Sequence, residues 1–369
     1  MVETLVLPRE PRRYILNSIQ ALRAFAALSV MIGHLFGELS KHGSIDLDFI
    51  GFPWAAGVDI FFVISGFVMV YTNYEHFGRP GAVSRFVTRR IIRIVPLYYF
   101  FTSLMIAVVL VAPSVLGTTQ YDPWQFVTSY LFFPYERYDG MVRPVLSLGW
   151  TLNYEMFFYA IFACCLLLPV RAGVAAVLAV MAFFAALKYF LGIETLPFSF
   201  WFSTLILEFC FGVLLGFFFV QKGKVALPRF AWMLPLLAPA VAFVALGAAD
   251  MDSPLPNFIR WGVPAALFVG AVVFFLPEDL ERSMPRVLVA MGDSSYALYL
   301  AHRFIFGAVV VLWTHALPHQ GGWLWALFLV SLIATVGGAH LVHLIIEKPL
   351  IEGLRRLPAF RAERGRAGH

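Results

Sequence analysis

The chain of 369 residues is 60% hydrophobic and 13% charged, with a mean hydropathy of +0.80. Soluble domains carry roughly twice that share of charge, so the two or three soluble domains that length alone would suggest give way to a polytopic membrane protein. The net charge of +5 is largely a property of the loops, and nothing in it points to nucleic acid, which needs a basic water-facing surface.

Apolar stretches of roughly 18–25 residues can each cross a hydrocarbon core of ~30 Å. They are expected near 18–40, 52–74, 91–112, 147–170, 172–190, 200–220, 229–249, 257–277, 292–314 and 322–346. Continuous apolar runs without strict alternation imply helices and exclude a closed barrel. The fold class is therefore all-α, about ten transmembrane helices. With the N-terminus inside, nineteen Lys and Arg fall on the inner side against five outside, namely Lys41, Arg137, Arg143, Lys188 and Arg260. That bias and the even number of spans place both termini in the cytoplasm. A cytoplasmic tail over 1–17, a membrane domain over 18–346 and a basic tail over 347–369 follow. Residues 1–17 lack the features of a cleaved signal peptide, so the first span is expected to stay as an anchor.

The first span, LRAFAALSVMIGH, carries Arg23 and His34. Eleven residues put them about 20° apart around the helix and ~16 Å apart along it. Either Arg23 snorkels to headgroups and His34 is a packing contact, or both face a wet interior. The second span, GVDIFFVISGFVM, holds Asp59 in its outer half and Ser65 near its middle. The third opens RRIIRIVPLYY, with Arg89, Arg90 and Arg93 at the inner surface. The connection 113–146 contains WQFVTSYLFF, too short to span and readable as an interfacial or re-entrant helix. The fourth span, SLGWTLNYEMFFYAIF, brings Trp150, Asn153, Tyr154 and Glu155 to its outer half. Cys164, Cys165 and Cys210 read as small core residues, and Gly212 and Gly216 as a close-packing pair. The ninth span begins GDSSYALYLAHRF, with Asp293, Ser294 and Ser295 at the inner end and His302 and Arg303 deeper. The tenth ends LVHLIIEKPL, adding His340, His343 and Glu347.

Sorted by depth, these groups form two sets. The inner one is rich in Arg and Ser and suits a phosphate-bearing cytoplasmic ligand. The outer one, His34 with Asp59 and Glu155, suits proton transfer.

The motifs together resemble the acyltransferase-3 family of membrane O-acyltransferases over nearly the whole chain. Arg23 and His34, ten residues intervening, match that family's first-helix hallmark. GVDIFFVISGF, RRIIRIVPLYY and GDSSYALYLAH match its second-helix, third-helix and late-helix motifs in order. SIQALRAFAALSVMIGH and GWTLNYEMFFY look most like the branch that decorates bacterial exopolysaccharides, and no appended extracytoplasmic domain is expected. The resemblance implies transfer of an acyl group, usually acetyl, from cytoplasmic acyl-CoA to a sugar hydroxyl, at a bacterial inner membrane. The acceptor would be a surface or exported polysaccharide or its lipid-linked precursor, with synthesis or export machinery as a partner. No metal or tightly bound cofactor is expected. In this reading Arg23, Arg89, Arg90, Arg93 and Ser295 hold acyl-CoA. His34 is the general base, oriented by Glu155 or Asp59. Trp150, Asn153, Tyr154 and Ser65 line the reacting groups, and an acyl group carried on His34 or Ser65 is the alternative to direct transfer. The rival class is a transporter or flippase for glycan intermediates, disfavoured by the absence of an inverted repeat.

Overall fold

A computed structural model describes residues 16–41, 54–112, 120–225, 227–228, 231–247, 255–318 and 321–357. Helices occupy all ten expected places. They are α1 (Asn17–Leu39), α2 (Gly57–Asn73), α3 (Ala82–Val111), the short α4 (Pro123–Tyr130), α5 (Trp150–Cys165), α6 (Val170–Leu191) and the one-turn α7 (Phe198–Trp201). Then follow α8 (Leu207–Lys222), α9 (Leu234–Gly247), α10 (Val263–Phe275), α11 (Glu278–Arg282), α12 (Arg286–Asp293), α13 (Ser295–Ala316), α14 (Gly322–Val342) and α15 (Lys348–Arg356). Among the described residues eight helical segments are long and apolar enough to cross a membrane. The other two expected spans are shorter helices, α5 with 16 residues and α9 with 14. Large apolar side chains such as Leu110, Phe183, Ile333 and Leu312 are well exposed, as a lipid-facing surface requires. The molecule is an all-α polytopic membrane protein.

Several boundaries differ from the hydropathy reading, each for a local reason. Helix α3 starts nine residues before the apolar run, at Ala82, because its first turns need no lipid. Arg85, Arg89 and Arg90 therefore ride on the helix. Pro96, one turn after Arg93, removes a ladder hydrogen bond inside it. The ninth span is broken at Ser294 between α12 and α13. The tenth does not end at 346. A π-helical turn over His343–Glu347 carries it into α15, so the expected tail over 347–369 begins as helix. Arg260, assigned above to an outer connection, is buried in a second π-helical turn at Phe258–Gly262.

Glycines set how closely the site-bearing helices approach. A Cβ on Gly212 would lie 1.9 Å from the Val63 carbonyl oxygen, and one on Gly66 2.1 Å from that of Phe209. The α2 and α8 backbones therefore touch, as the spacing of Gly212 and Gly216 leads one to expect. Gly57 seats the start of α2 against Ala26 of α1, and Gly292 seats the end of α12 against Gln20. Thus the opening glycines of GVDIFF and GDSS dock their segments onto the helix that carries Arg23 and His34. Around these crossings Phe62, Phe158, Phe162, Phe209 and Tyr98 fill a largely aromatic core.

Candidate functional site

A cavity of about 520 Å3 opens between α1, α2, α3, α5 and α13. Five arginines line it, Arg23, Arg89, Arg90, Arg93 and Arg355, against the carboxylates of Asp293 and Glu155. Arg89, Asp293 and Arg355 are exposed and mark its mouth. Arg90 lies 5.6 Å from the ring centroids of both Phe86 and Tyr159, a geometry that fixes a guanidinium through the ring faces. Arg93 pairs with Glu347 at 2.7 Å, and the Nδ1–H of His343 donates to the same carboxylate at 2.7 Å. The π-helical turn points Glu347 inward to make this contact. Arg23 Nη1 donates to Gln20 Oε1 at 3.2 Å, and Gln20 in turn donates to Asp293. Ser295, in the first turn of α13, is fully buried, and its hydroxyl has no hydrogen-bond partner. Helix N-terminus, free hydroxyl and arginines together make an anion-binding surface.

Deeper in the cavity, Ser65 Oγ donates to Glu155 Oε1 at 3.1 Å, and the Tyr159 hydroxyl donates to the same oxygen. Glu155 and Tyr159 share a face of α5, one turn apart. Thr151 and Tyr299 line the cavity beside them. The Tyr299 hydroxyl donates to the Leu148 carbonyl at 3.1 Å and pairs with the Thr151 hydroxyl at 3.0 Å.

His34 does not line the cavity. It lies past Tyr299, whose ring centroid is 6.2 Å from that of His302. His34 Nδ1 is 2.9 Å from His302 Nε2, with the two rings stacked. His302 Nδ1 is 3.0 Å from the Leu298 carbonyl oxygen. A carbonyl only accepts, so His302 Nδ1 carries a proton and donates it. In the neutral ring His302 Nε2 is then a lone pair and must accept from His34 Nδ1–H. His34 Nε2 is left unprotonated, which is the state a general base needs. Arg303 and Arg143 act on His34 electrostatically. Arg143, in the loop before α5, has its own pKa pushed down by partial burial, then by Arg137 and Arg303.

The structure thus brings Arg23, Arg89, Arg90, Arg93, Ser295, Ser65 and Glu155 into one cavity. It places His34 beside a histidine and not beside a carboxylate. Asp59 is buried against Glu208 of α8. Asn153 is buried with Oδ1 unpartnered, and Tyr154 stacks on Phe200 with Trp150 edge-on to it. Asp59, Trp150, Asn153 and Tyr154, all four expected at the site, do not line the cavity. Sequence reasoning placed His302 deep in the ninth span without giving it a role, and missed Arg355 and Tyr299. The legible signal was the face shared by Tyr296, Tyr299 and Arg303, three and four residues apart.

A membrane-embedded helical bundle with an anion-binding cavity leading to hydroxyl, carboxylate and imidazole groups defines a membrane group-transfer enzyme. The model of an acyltransferase domain, acyltransferase-3, matches residues 16–344. The chain belongs to that family and is an O-acyltransferase. It is 32% identical to the exopolysaccharide production protein ExoZ of Rhizobium meliloti, over 85% of this chain and 94% of that protein. It is 29% identical to nodulation protein 10 of Rhizobium leguminosarum bv. viciae, over 91% and 93%. A putative peptidoglycan O-acetyltransferase of Bacillus subtilis, YrhL, is 28% identical over 92% of this chain and 55% of its own length. No solved structure matches.

Proposed function

We propose that the chain moves an acyl group, acetyl in the simplest case, from cytoplasmic acyl-CoA to a hydroxyl of an exported or surface polysaccharide or its lipid-linked precursor. It does so in the bacterial inner membrane, with both termini in the cytoplasm and the arginine-lined mouth facing the same side. The observation that carries this reading is the single cavity in which five arginines and the α13 N-terminus lead to Ser65 and Glu155. CoA is polyanionic, and arginines bind its phosphates through paired charge-assisted bonds. Its pantetheine arm, roughly 15–20 Å long by bond counting, is slender enough to enter behind phosphates held at such a mouth. Acceptors of the glycan class are supported by relatives named for exopolysaccharide production and peptidoglycan O-acetylation.

His34 Nε2 takes the proton of the acceptor hydroxyl as general base, and His302 is a positioning residue that holds the required tautomer. The test feeds isotope-labelled acetyl-CoA to the cytoplasmic side of oriented vesicles that contain the native glycan. Base-labile label enters glycan with wild type and is lost with His34→Ala. Unchanged transfer by His34→Ala removes the proposed base, and no transfer by folded wild type removes the donor or acceptor.

A further inference from the structure

A polar side chain inside a helix ordinarily returns its hydrogen bond to its own backbone one turn back. Helix α2 does this twice, with Thr72 donating to the Val68 carbonyl at 2.7 Å and Asn73 to that of Met69 at 2.8 Å. Ser65 does otherwise. Its hydroxyl leaves the helix and donates across to Glu155 on α5. The contact between α2 and α8 backbones at Gly66 and Gly212 holds the serine in that register. Both partners line the arginine cavity, whereas His34 lies beyond Tyr299. A thioester that enters among the arginines therefore meets Ser65 before it can meet His34. Serine hydroxyl on carboxylate, in the wall of a cationic cavity, is the geometry of a nucleophile beside its base.

We propose that Ser65 is the nucleophile that takes the acyl group from acyl-CoA, with Glu155 as its base, so that transfer runs through an acyl-Ser65 ester. This rests on the acyl-CoA reading above. In the first stage the bond from Ser65 Oγ to the acyl carbon forms and the carbon–sulfur bond breaks. Glu155 keeps the hydroxyl proton, and CoA leaves as a thiolate that takes a proton from water at the mouth. Arg23, on the same cavity and within electrostatic reach of Glu155, stabilises the oxyanion of the tetrahedral intermediate. In the second stage the acceptor oxygen bonds to the acyl carbon and the Oγ–carbon bond breaks. Glu155 returns its proton to Ser65, while His34 takes the acceptor's proton and passes it to water. The two halves of the site thus serve two half-reactions.

The experiment uses the purified full chain in nanodiscs with acetyl-CoA and no acceptor, and reads two signals. One is isotope exchange between labelled CoA and acetyl-CoA; the other is an acetyl group on the peptide that contains Ser65. Both are expected with wild type. Ser65→Ala loses exchange by roughly three orders of magnitude or more. Ser65→Cys carries the label as a hydroxylamine-labile thioester, a signature that no structural role of the serine would produce. His34→Ala acetylates Ser65 but gives no labelled glycan in vesicles. Wild type that labels glycan with neither exchange nor a modified Ser65, together with Ser65→Ala that still transfers, overturns the intermediate and leaves the proposed function standing. Neither exchange nor glycan label from folded wild type overturns both.

Discussion

The two ends of the site are built from different materials. The arginine end is broad and opens to the surface, and its charges are held by cation–π contacts, Glu347, Gln20 and Asp293. The histidine end is compact, a stacked pair anchored on one backbone carbonyl behind Tyr299. Many donors that tolerate small shifts suit the binding of a flexible polyanion. A single lone pair held in one direction suits proton transfer, which fails when geometry slips. Substitutions at the two ends should therefore separate in the kinetic constant they change.

Between the two ends, the larger effect is expected at His34. His34→Ala should lower the rate of transfer to glycan by about 10^2–10^4, the span of general acid–base catalysis, with acetyl-CoA binding unchanged by calorimetry. A comparable loss of acetyl-CoA affinity would show that the two ends are not separate. His302 comes next. His302→Leu removes the acceptor that fixes the His34 tautomer and should lower kcat by roughly a hundredfold, as loss of an orienting partner does elsewhere, with the KM for acetyl-CoA unmoved. His302→Gln, which can still accept from His34, should recover part of that loss. Equal defects in the two variants would mean that His302 acts by packing alone.

At the other end the effect should be smaller and of another kind. Arg90→Gln should raise the KM for acetyl-CoA about tenfold, near the low end for a charge-assisted hydrogen bond, and leave kcat nearly intact. Added salt should weaken wild-type binding more than that of the variant, since fewer charges remain to be screened. A fall in kcat with KM unchanged would move Arg90 out of substrate binding.

The same contrast governs what could be read from sequence. The helices, the membrane setting and the arginine end were legible because hydropathy and charge sum over many residues. Arg23, Arg89, Arg90, Arg93 and Ser295 do meet in one cavity. The histidine end was not legible, since it depends on one long-range contact between residues 268 positions apart. A carboxylate partner for His34 was a reasonable expectation, but Glu155 is taken by Ser65 and Tyr159, and Asp59 lies against Glu208. The close packing of α1 against α12 at Gly292 and the break at Ser294 set where α13 enters, and so which imidazole reaches His34. Backbone packing of that kind leaves only a lone glycine in the sequence.

Tyr299 gives the smallest and most discriminating test, because it divides the two ends. Tyr299→Phe keeps the ring and removes only its hydrogen bonds to Leu148 and Thr151. A neutral hydrogen bond contributes about 0.5–1.5 kcal/mol, so glycan transfer should fall no more than severalfold. Tyr299→Ala widens the gap between the ends through which the acceptor hydroxyl must reach the acyl group. Water then competes with the acceptor there, and acceptor-independent release of free acetate should rise above the wild-type rate while acetyl-CoA still binds. Acetate release that stays at the wild-type rate in a folded Tyr299→Ala protein would show that the ring does not separate the two ends. The contrast between them would then rest on distance alone.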